Sequence, residues 1–421
     1  MRLLVIADDL TGACETGAKF ASMGLDAEVS IDVERAEDLA RSTAGVLVLD
    51  TESRHVSPAE AAYRVDRLVR GARESGIERF YMKTDSTLRG NVGAELEALM
   101  RAAGVRRLPF VPAYPAAGRS TRNGCQYVHG KPLHETSFAN DPLEPIESSS
   151  IPEIIARQSS VKAIVIGRQE LDRLSELAQV DECICIFDAE NDQDLDRIAV
   201  SLEEHGLLRC CAGAAGFAQR VAGRLSSGAR PSAAPSRRGP VLFVNGSLQE
   251  TALGQIRCGI EEGIESVKLE PEVLFAQSLS EPQACALTDS ACGALQAGRD
   301  VLLHTVTHFG QHERYVQCAK QRHVGDPCLA AADALGTVTA AIVRRCESLG
   351  AVVAFGGDTA VAVLRALGLT ALRLRQELWP GVIESSVRIE GRDMPFITKS
   401  GGFGPEDLMS QLSSMFAPRE A

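Results

Sequence analysis

"LLVIADDLTGACETG", residues 3–17, sets an apolar run against two adjacent aspartates and then a string of small residues. The apolar run reads as a buried strand, and the stretch from about Gly12 to Met23 carries a helical pattern. A strand that feeds a helix is the opening of an α/β unit, and ligands of such folds gather beyond the carboxyl ends of the strands. Asp8 and Asp9 stand at that end. Either alone could cap the helix, with Thr11 assisting. Two together, neither cheaply buried without a partner, point to chemistry for at least one.

Outward from this stretch the alternation continues. "AEVSI", "GVLVLD", "RFYMKTD", "LPFVPAYP", "AIVIG" and "CICIFD" read as strands, and helical patterns run from about Pro58 to Ser75 and Gly93 to Ala103. The segment "RLSSGARPSAAPSRRGP", residues 224–240, has no periodicity and is dense in Ser, Ala, Pro, Gly and Arg, the composition of a linker. After it the grammar restarts with "PVLFVNGS", "VLLHT", a long helix from about Ala330 to Leu349, "AVVAFGGD" and a helix from about Thr359 to Leu367. The expected architecture is two α/β domains with mostly parallel sheets, residues 1–225 and 241–421, joined by a linker at 226–240. The Pro-rich stretch from Pro109 to Pro152 offers few regular elements and reads as an ordered functional loop region.

At 421 residues and 45% hydrophobic the chain is too long for one ordinary core and too apolar for disorder. Its formal charge of −12, spread among many Lys and Arg, argues against a general affinity for nucleic acid or anionic membrane. An acidic substrate would need a local basic pocket. Twelve cysteines fall singly or in tight pairs with no CxxC repeat, which reads as reduced core thiols in a cytoplasmic protein. The first apolar stretch stops at Asp8, too soon for a secretory leader, and no later stretch is expected to reach the roughly 20 apolar residues of a bilayer crossing. The expectation is a soluble protein.

Two further strand ends carry polar clusters. "YMKTDSTLRGNVG", residues 81–93, interleaves Lys83, Asp85 and Arg89 with hydroxyls and closes on Gly90, a set suited to carboxylates and hydroxyls. "GVLVLDTESRH" delivers Asp50, Ser53 and Arg54 to the same edge. Any one of these charged residues could be a solvated surface group; the cluster reads as a site. The second half carries glycines instead. "AFGGDTAVAVLRALG" places Gly356 and Gly357 before a helix that opens on Asp358 and Thr359, and "ITKSGGFGPED" repeats the device with Gly401, Gly402 and Gly404. With Asn245 to Ser247 they suggest backbone amides approaching phosphate.

No GxxxxGK[ST] loop, GxGxxG fingerprint, HExxH helix or GxSxG elbow is present, so the familiar nucleotide and hydrolase classes are disfavoured. His304, His308 and His312 recur every four residues, but "DVLLHTVTHFG" opens as a strand, which argues against a metal face.

"IADDLTGACETG", "TESR", "KTDSTLRGN", "PAYPAAGRSTRNG", "GGDTAVAVLRALG" and "KSGGFG", in this order, resemble the four-carbon acid sugar kinases. The resemblance implies a sugar-acid-binding N-terminal domain, a nucleotide-binding C-terminal domain and an active site in the cleft between them. It implies ATP-dependent phosphorylation of the terminal hydroxyl of D-threonate or D-erythronate, with a 3-oxo-tetronate kinase or a non-catalytic sugar-acid sensor as alternatives. Carried over by motif, Asp8, Arg54, Lys83, Asp85 and Arg89 bind the acid, with Asp9 beside them, and Ser247, Gly356, Gly357, Asp358, Thr359 and Gly401 bind ATP. "NGS", "GGDT" and "SGGFG" stand where "SGS", "GGET" and "SGNFG" are common in the family, and "CETG" stands where the D-threonate and D-erythronate kinases tend to have "NDTG" and the 3-oxo-tetronate enzymes a different helix start.

Phosphoryl transfer asks for positioning and charge neutralisation, so ATP would come with Mg²⁺. Lys83 and the arginines suit the substrate carboxylate, and Asp9 or Asp85 suits the hydroxyl proton. The expected partners are an acid sugar and ATP, with neither nucleic acid nor membrane; a homodimer is left open.

Overall fold

The first apolar run forms strand β1 (Leu3–Ala7), buried at every residue, and the small-residue stretch forms helix α1 (Leu10–Ser22). The helix starts two residues before the expected Gly12 because Asp9 is its N-cap, in extended backbone with its carboxylate accepting from the Gly12 amide. The computed structural model describes residues 2–31, 44–141, 144–175, 182–226, 237–275 and 281–418. It divides into two units, Met1–Ser232 and Ala233–Ala421. Residues 227–236, most of the expected linker, lie outside the described residues.

In the first unit, β2 (Ala27–Ser30), β3 (Val46–Asp50), β4 (Arg79–Lys83) and β5 (Arg107–Val111) join β1. The chain then makes β6 (Arg119–Arg122), β7 (Cys125–Val128) and β8 (Lys131–Pro132) before returning to the sheet with β9 (Lys162–Ile166), β10 (Cys183–Phe187) and β11 (Cys210–Gly213). The sheet order is β2-β3-β1-β4-β11-β5-β10-β9, and every pairing is parallel. β1, β3 and β10 are buried throughout, as a sheet covered on both faces requires. Helices α2 (Pro58–Glu74) and α3 (Val92–Ala103) pack on one of those faces.

Two elements depart from expectation. β11 slips between β4 and β5, where a Cβ on Gly213 would collide with the Val111 carbonyl. The Pro-rich stretch holds more regular structure than expected: β6, β7 and β8 form a separate antiparallel sheet. Asn123 and Gly124, both left-handed at φ 48° and 71°, close its first hairpin in two residues.

The second unit contains β12 (Val241–Asn245), β13 (Glu265–Lys268), β14 (Val301–His304), β15 (Ala351–Phe355), β16 (Ala371–Trp379), β17 (Val382–Ile389) and β18 (Arg392–Lys399). Their order is β13-β14-β12-β15-β18-β17-β16, parallel as far as β18 and antiparallel from there. One expectation needs correction. The Pro327–Arg345 helix, 19 residues with a mean hydropathy of 1.2, is long and apolar enough to cross a bilayer. Half of that stretch is buried within the unit, and Gly336 lies so close to the Gly357–Ala366 helix that a Cβ would stand 2.6 Å from the Ala362 carbonyl oxygen. It has the packing of a core helix. The cysteines are all free thiols, but Cys285 and Cys328 are exposed rather than in the core.

Candidate functional site

Register builds the first cluster. Ala7 on β1 pairs with Asp50 on β3 and Lys83 on β4, and Lys83 pairs with Gly213 on β11. The residues that follow, Asp8, Thr51 and Thr84, therefore leave the sheet side by side. Arg54 closes the gap between them: its Nε donates to Asp8 Oδ2 at 2.7 Å, its Nη1 to Asp9 Oδ2 at 2.7 Å, and its Nη2 lies 3.8 Å from Asp85 Oδ1. Arg89 takes Asp85 with both prongs, Nε to Oδ2 at 2.9 Å and Nη2 to Oδ1 at 3.1 Å. Its Nη1 reaches Asp141 at 3.2 Å, and its guanidinium lies over the Phe138 ring. Lys83 is buried beside α1, where a Cβ on Gly12 would stand 3.0 Å from its Nζ and 2.6 Å from Asp9 Oδ1. Gly12 is what lets the ammonium sit there.

The charges are unevenly matched. Burial pushes the Asp8 carboxyl up despite Arg54, and its Oδ1 is buried without a partner. Burial also works upward on Asp9, but Arg54, Lys83 and the Gly12 amide hold it below its ordinary value. At Asp85 burial is overcome by Arg54 and Arg89, and the carboxyl is held far below its ordinary value. Burial drives Asp50 well above the usual range, with the Glu52 amide donating to its Oδ1 at 3.0 Å.

The second cluster is built the same way. Asn245, Phe355 and Lys399 share one row of β12, β15 and β18, so three loops leave together. The loops touch closely enough to exclude side chains: a Cβ on Gly401 would stand 2.7 Å from Ser247 Oγ, and one on Gly246 would strike Thr359 Oγ1. Gly356, at φ 99°, makes the turn into the Gly357–Ala366 helix, and Asp358 is exposed in its first turn. Lys399 supports this floor from beneath. It is fully buried, its Nζ donates to the Gly401 carbonyl at 2.8 Å and lies 5.0 Å from the Phe355 ring centre, and burial pulls its pKa down to about 7.

Asp8, Asp9, Arg54, Lys83, Asp85 and Arg89 are thus brought together in the first unit, and Ser247, Gly356, Gly357, Asp358, Thr359 and Gly401 in the second. Three charged residues beside these clusters went unread in the sequence. Arg119, on β6, feels Asp85, Arg89 and Glu15, and its Nε is buried without a partner. Glu95 on α3 is buried under Ser53, and Lys399 stands one residue before a glycine motif that drew attention to itself. His304, His308 and His312 lie on a strand, on a loop and at a helix start, so they share no helical face. A cavity of about 580 Å³ in the first unit includes Arg2 and Arg79, at the amino ends of β1 and β4, opposite the cluster. Its Arg209 and Arg224 pair with Glu78 and Glu203.

Fold and clusters define a class: an α/β protein whose first unit presents cations and carboxylates and whose second presents glycine-lined loops at a helix start. The profile of a sugar-binding N-terminal domain matches residues 3–221, and that of a nucleotide-binding C-terminal domain matches residues 242–409. A D-threonate kinase of Salmonella typhimurium is 34% identical over 97% of both chains. A D-threonate kinase of Bordetella bronchiseptica is 30% identical over 99% of this chain and 97% of its own. A 3-oxo-tetronate kinase of Cupriavidus necator is 28% identical over 96% and 95%. The crystal structure of a Salmonella typhimurium LT2 protein covers 99% of both chains with a TM-score of 0.82 at 21% identity, a likeness of fold. The chain belongs to the four-carbon acid sugar kinase family.

Proposed function

We propose that the protein transfers the γ-phosphoryl group of ATP to the terminal hydroxyl of D-threonate. The observation that carries this reading is the Asp8–Arg54–Asp9 fork beside Lys83 and the Asp85–Arg89 pair: cations for a carboxylate and carboxylates for hydroxyls, at one sheet edge. Lys83 and Arg119 take the substrate carboxylate, with Arg54 and Arg89 fixing the aspartates. Asp9 orients the terminal hydroxyl, because its side chain keeps 28% exposure while Asp8 is sealed in and Asp85 is gripped by Arg89. In a loose phosphoryl transfer, orientation matters more than basicity, so a depressed Asp9 suits the role.

ATP lies against Ser247, Gly356, Gly357, Thr359 and Gly401, its phosphates met by backbone amides at the start of the Gly357–Ala366 helix. Mg²⁺ belongs with those phosphates. Asp358 offers it one hard oxygen donor, the small protein share such ions commonly take, and the ion would neutralise phosphate charge. Among the described residues no cluster of three His, Cys, Asp or Glu side chains is placed to hold a metal by itself.

We favour D-threonate over D-erythronate and 3-oxo-tetronates on the strength of the Salmonella typhimurium and Bordetella bronchiseptica relatives, both named D-threonate kinases. ADP release with each acid, with and without Mg²⁺, tests the reading. The highest kcat/KM belongs to D-threonate. A higher value for a 3-oxo-tetronate reassigns the substrate, and no ADP with any tetronate leaves a binding protein.

A further inference from the structure

Beneath the Asp8–Arg54 pair three buried side chains form a line of close oxygens. Thr51 Oγ1 is 2.8 Å from the Ala7 carbonyl oxygen, Ser53 Oγ is 2.6 Å from Thr51 Oγ1, and Glu95 Oε1 is 2.5 Å from Ser53 Oγ. Each hydroxyl owns one hydrogen and a carbonyl owns none. Thr51 must donate to Ala7, so the hydrogen between Thr51 and Ser53 must come from Ser53. The third contact then has no hydrogen unless Glu95 brings one. Turning Ser53 towards Glu95 only moves the gap to the Thr51 contact. The line is one proton short as long as Glu95 is ionised.

We propose that Glu95 is held as the neutral carboxylic acid, donates to Ser53 Oγ, and through that proton is the positioning residue for Arg54. The line joins β1, the segment after β3 and α3. The same segment is pinned by the Ser53 amide donating to the Asp8 carbonyl at 3.2 Å, Asn91 Nδ2 donating to the Ser53 carbonyl at 2.9 Å, and Arg64 Nη1 of α2 donating to the Thr51 carbonyl at 2.8 Å. Arg54 is the next residue. The charged groups that reach Glu95 are Asp8, from the turn after β1, and Arg54 itself. Burial first, and Asp8 second, push Glu95 up to about 8, against the pull of Ser53 and Arg54.

Ionisation of Glu95 would set a second buried negative charge near Asp8 and loosen the segment that carries Arg54. The consequence for substrate rests on the kinase reading above: the KM for D-threonate rises as pH climbs past about 8 while kcat changes little. The proton itself can be tested without substrate. With a folded value near 8 against an ordinary 4.5, the folded chain binds one proton more than the unfolded chain between those limits. Its stability therefore falls with rising pH across that window.

Urea midpoints of the full-length protein and of Glu95→Gln, measured from about pH 5 to about pH 9, read this directly. The expected result is a difference that shifts in favour of Glu95→Gln up to about pH 8 and then levels. A constant difference overturns the proposal. If Glu95→Gln does not fold, infrared spectra of wild type carrying ¹³C-labelled glutamate decide: a protonated-carboxyl band at neutral pH that fades in alkali supports it, and absence of the band overturns it. In kinetics, Glu95→Ala should raise the KM for D-threonate roughly tenfold, and Glu95→Gln, which keeps a donor, should restore most of it. Equal KM in the two variants refutes the positioning role. If no tetronate is turned over, the kinase reading fails and the pH slope still decides the proton.

Discussion

Arg54 is shared among three carboxylates, with Nε, Nη1 and Nη2 directed at Asp8, Asp9 and Asp85. Lysine has no planar fork to copy this, and it would leave Asp8 buried without its donor. Arg54→Lys should therefore lower stability by a few kcal/mol, about what breaking a buried pair costs. Asp8 already has a raised pKa, so the stability it allows is fullest in acid and lost as pH rises; the Arg54→Lys deficit should shrink as pH is lowered. Chemical denaturation at about pH 5 and about pH 8 checks this, and an equal deficit at both would mean Asp8 is not the group left stranded. Asp9 makes a sharper case because it both caps α1 and pairs with Arg54. Asparagine still caps α1, but Asp9 accepts through both oxygens, from Gly12 at Oδ1 and from Arg54 and Thr11 at Oδ2, so Asp9→Asn should fold yet lose a few kcal/mol of stability with the ion pair. Turnover should fall roughly 10²-fold with little change in KM if the charge orients the hydroxyl. Wild-type turnover would leave Asp9 a cap and return the role to Asp8 or Asp85. The aspartates were legible in the sequence because charge at the end of an apolar run is anomalous. Glu95 was not: on α3 it looks like Glu97, which pairs with Arg101 at the surface. Glu95 is buried, and its hydrogen-bond partner Ser53 lies 42 positions away.

At the scale of elements, strands with an apolar run or a clean alternation, such as β1 and β2, were readable, and very short or strongly polar ones were not. β11 is four residues ending in glycine, and β16 breaks its leucines with Arg373 and with the consecutive Arg375, Gln376 and Glu377, so neither announces itself. Arg119 was lost for a related reason: it belongs to a small sheet outside the strand and helix grammar, and only tertiary structure takes it to Asp85. The glycine loops were readable as a class, but their function as a mutual packing surface needed coordinates. A methyl group at Gly401 would press on Ser247 and Gln249. Gly401→Ala should therefore weaken ATP roughly tenfold while leaving D-threonate affinity unchanged, which calorimetric titration of each ligand measures. Equal losses would indicate general damage. Lys399 gives the same floor a pH signature. Its folded value near 7 lies below its ordinary 10.5, so the unfolded chain binds more protons in that window and stability should rise with pH across it. Lys399→Met should remove that rise in urea midpoints; an unchanged slope would show that Lys399 stays charged.

For the whole molecule, the two clusters sit in separate units, Met1–Ser232 and Ala233–Ala421. That arrangement predicts two independent footprints in amide hydrogen exchange. Backbone opening at these loops is local, because each lies at a strand end rather than within a sheet, and a ligand that fixes a loop slows exchange only where it binds. D-threonate should protect amides at residues 8–12, 51–54 and 83–91, where Gly12, Ser53, Thr87 and Arg89 already donate backbone hydrogens to the cluster. ATP with Mg²⁺ should protect residues 245–249, 356–360 and 399–404, and it should do so without the acid present. Concentrations of about 100 times Kd stabilise the bound state by about 2.7 kcal/mol, equivalent to roughly a hundredfold slower exchange where opening and binding are exclusive. Protection of the glycine loops by D-threonate alone, or of the aspartate turn by ATP alone, would show that the acid and nucleotide sites have been assigned to the wrong units.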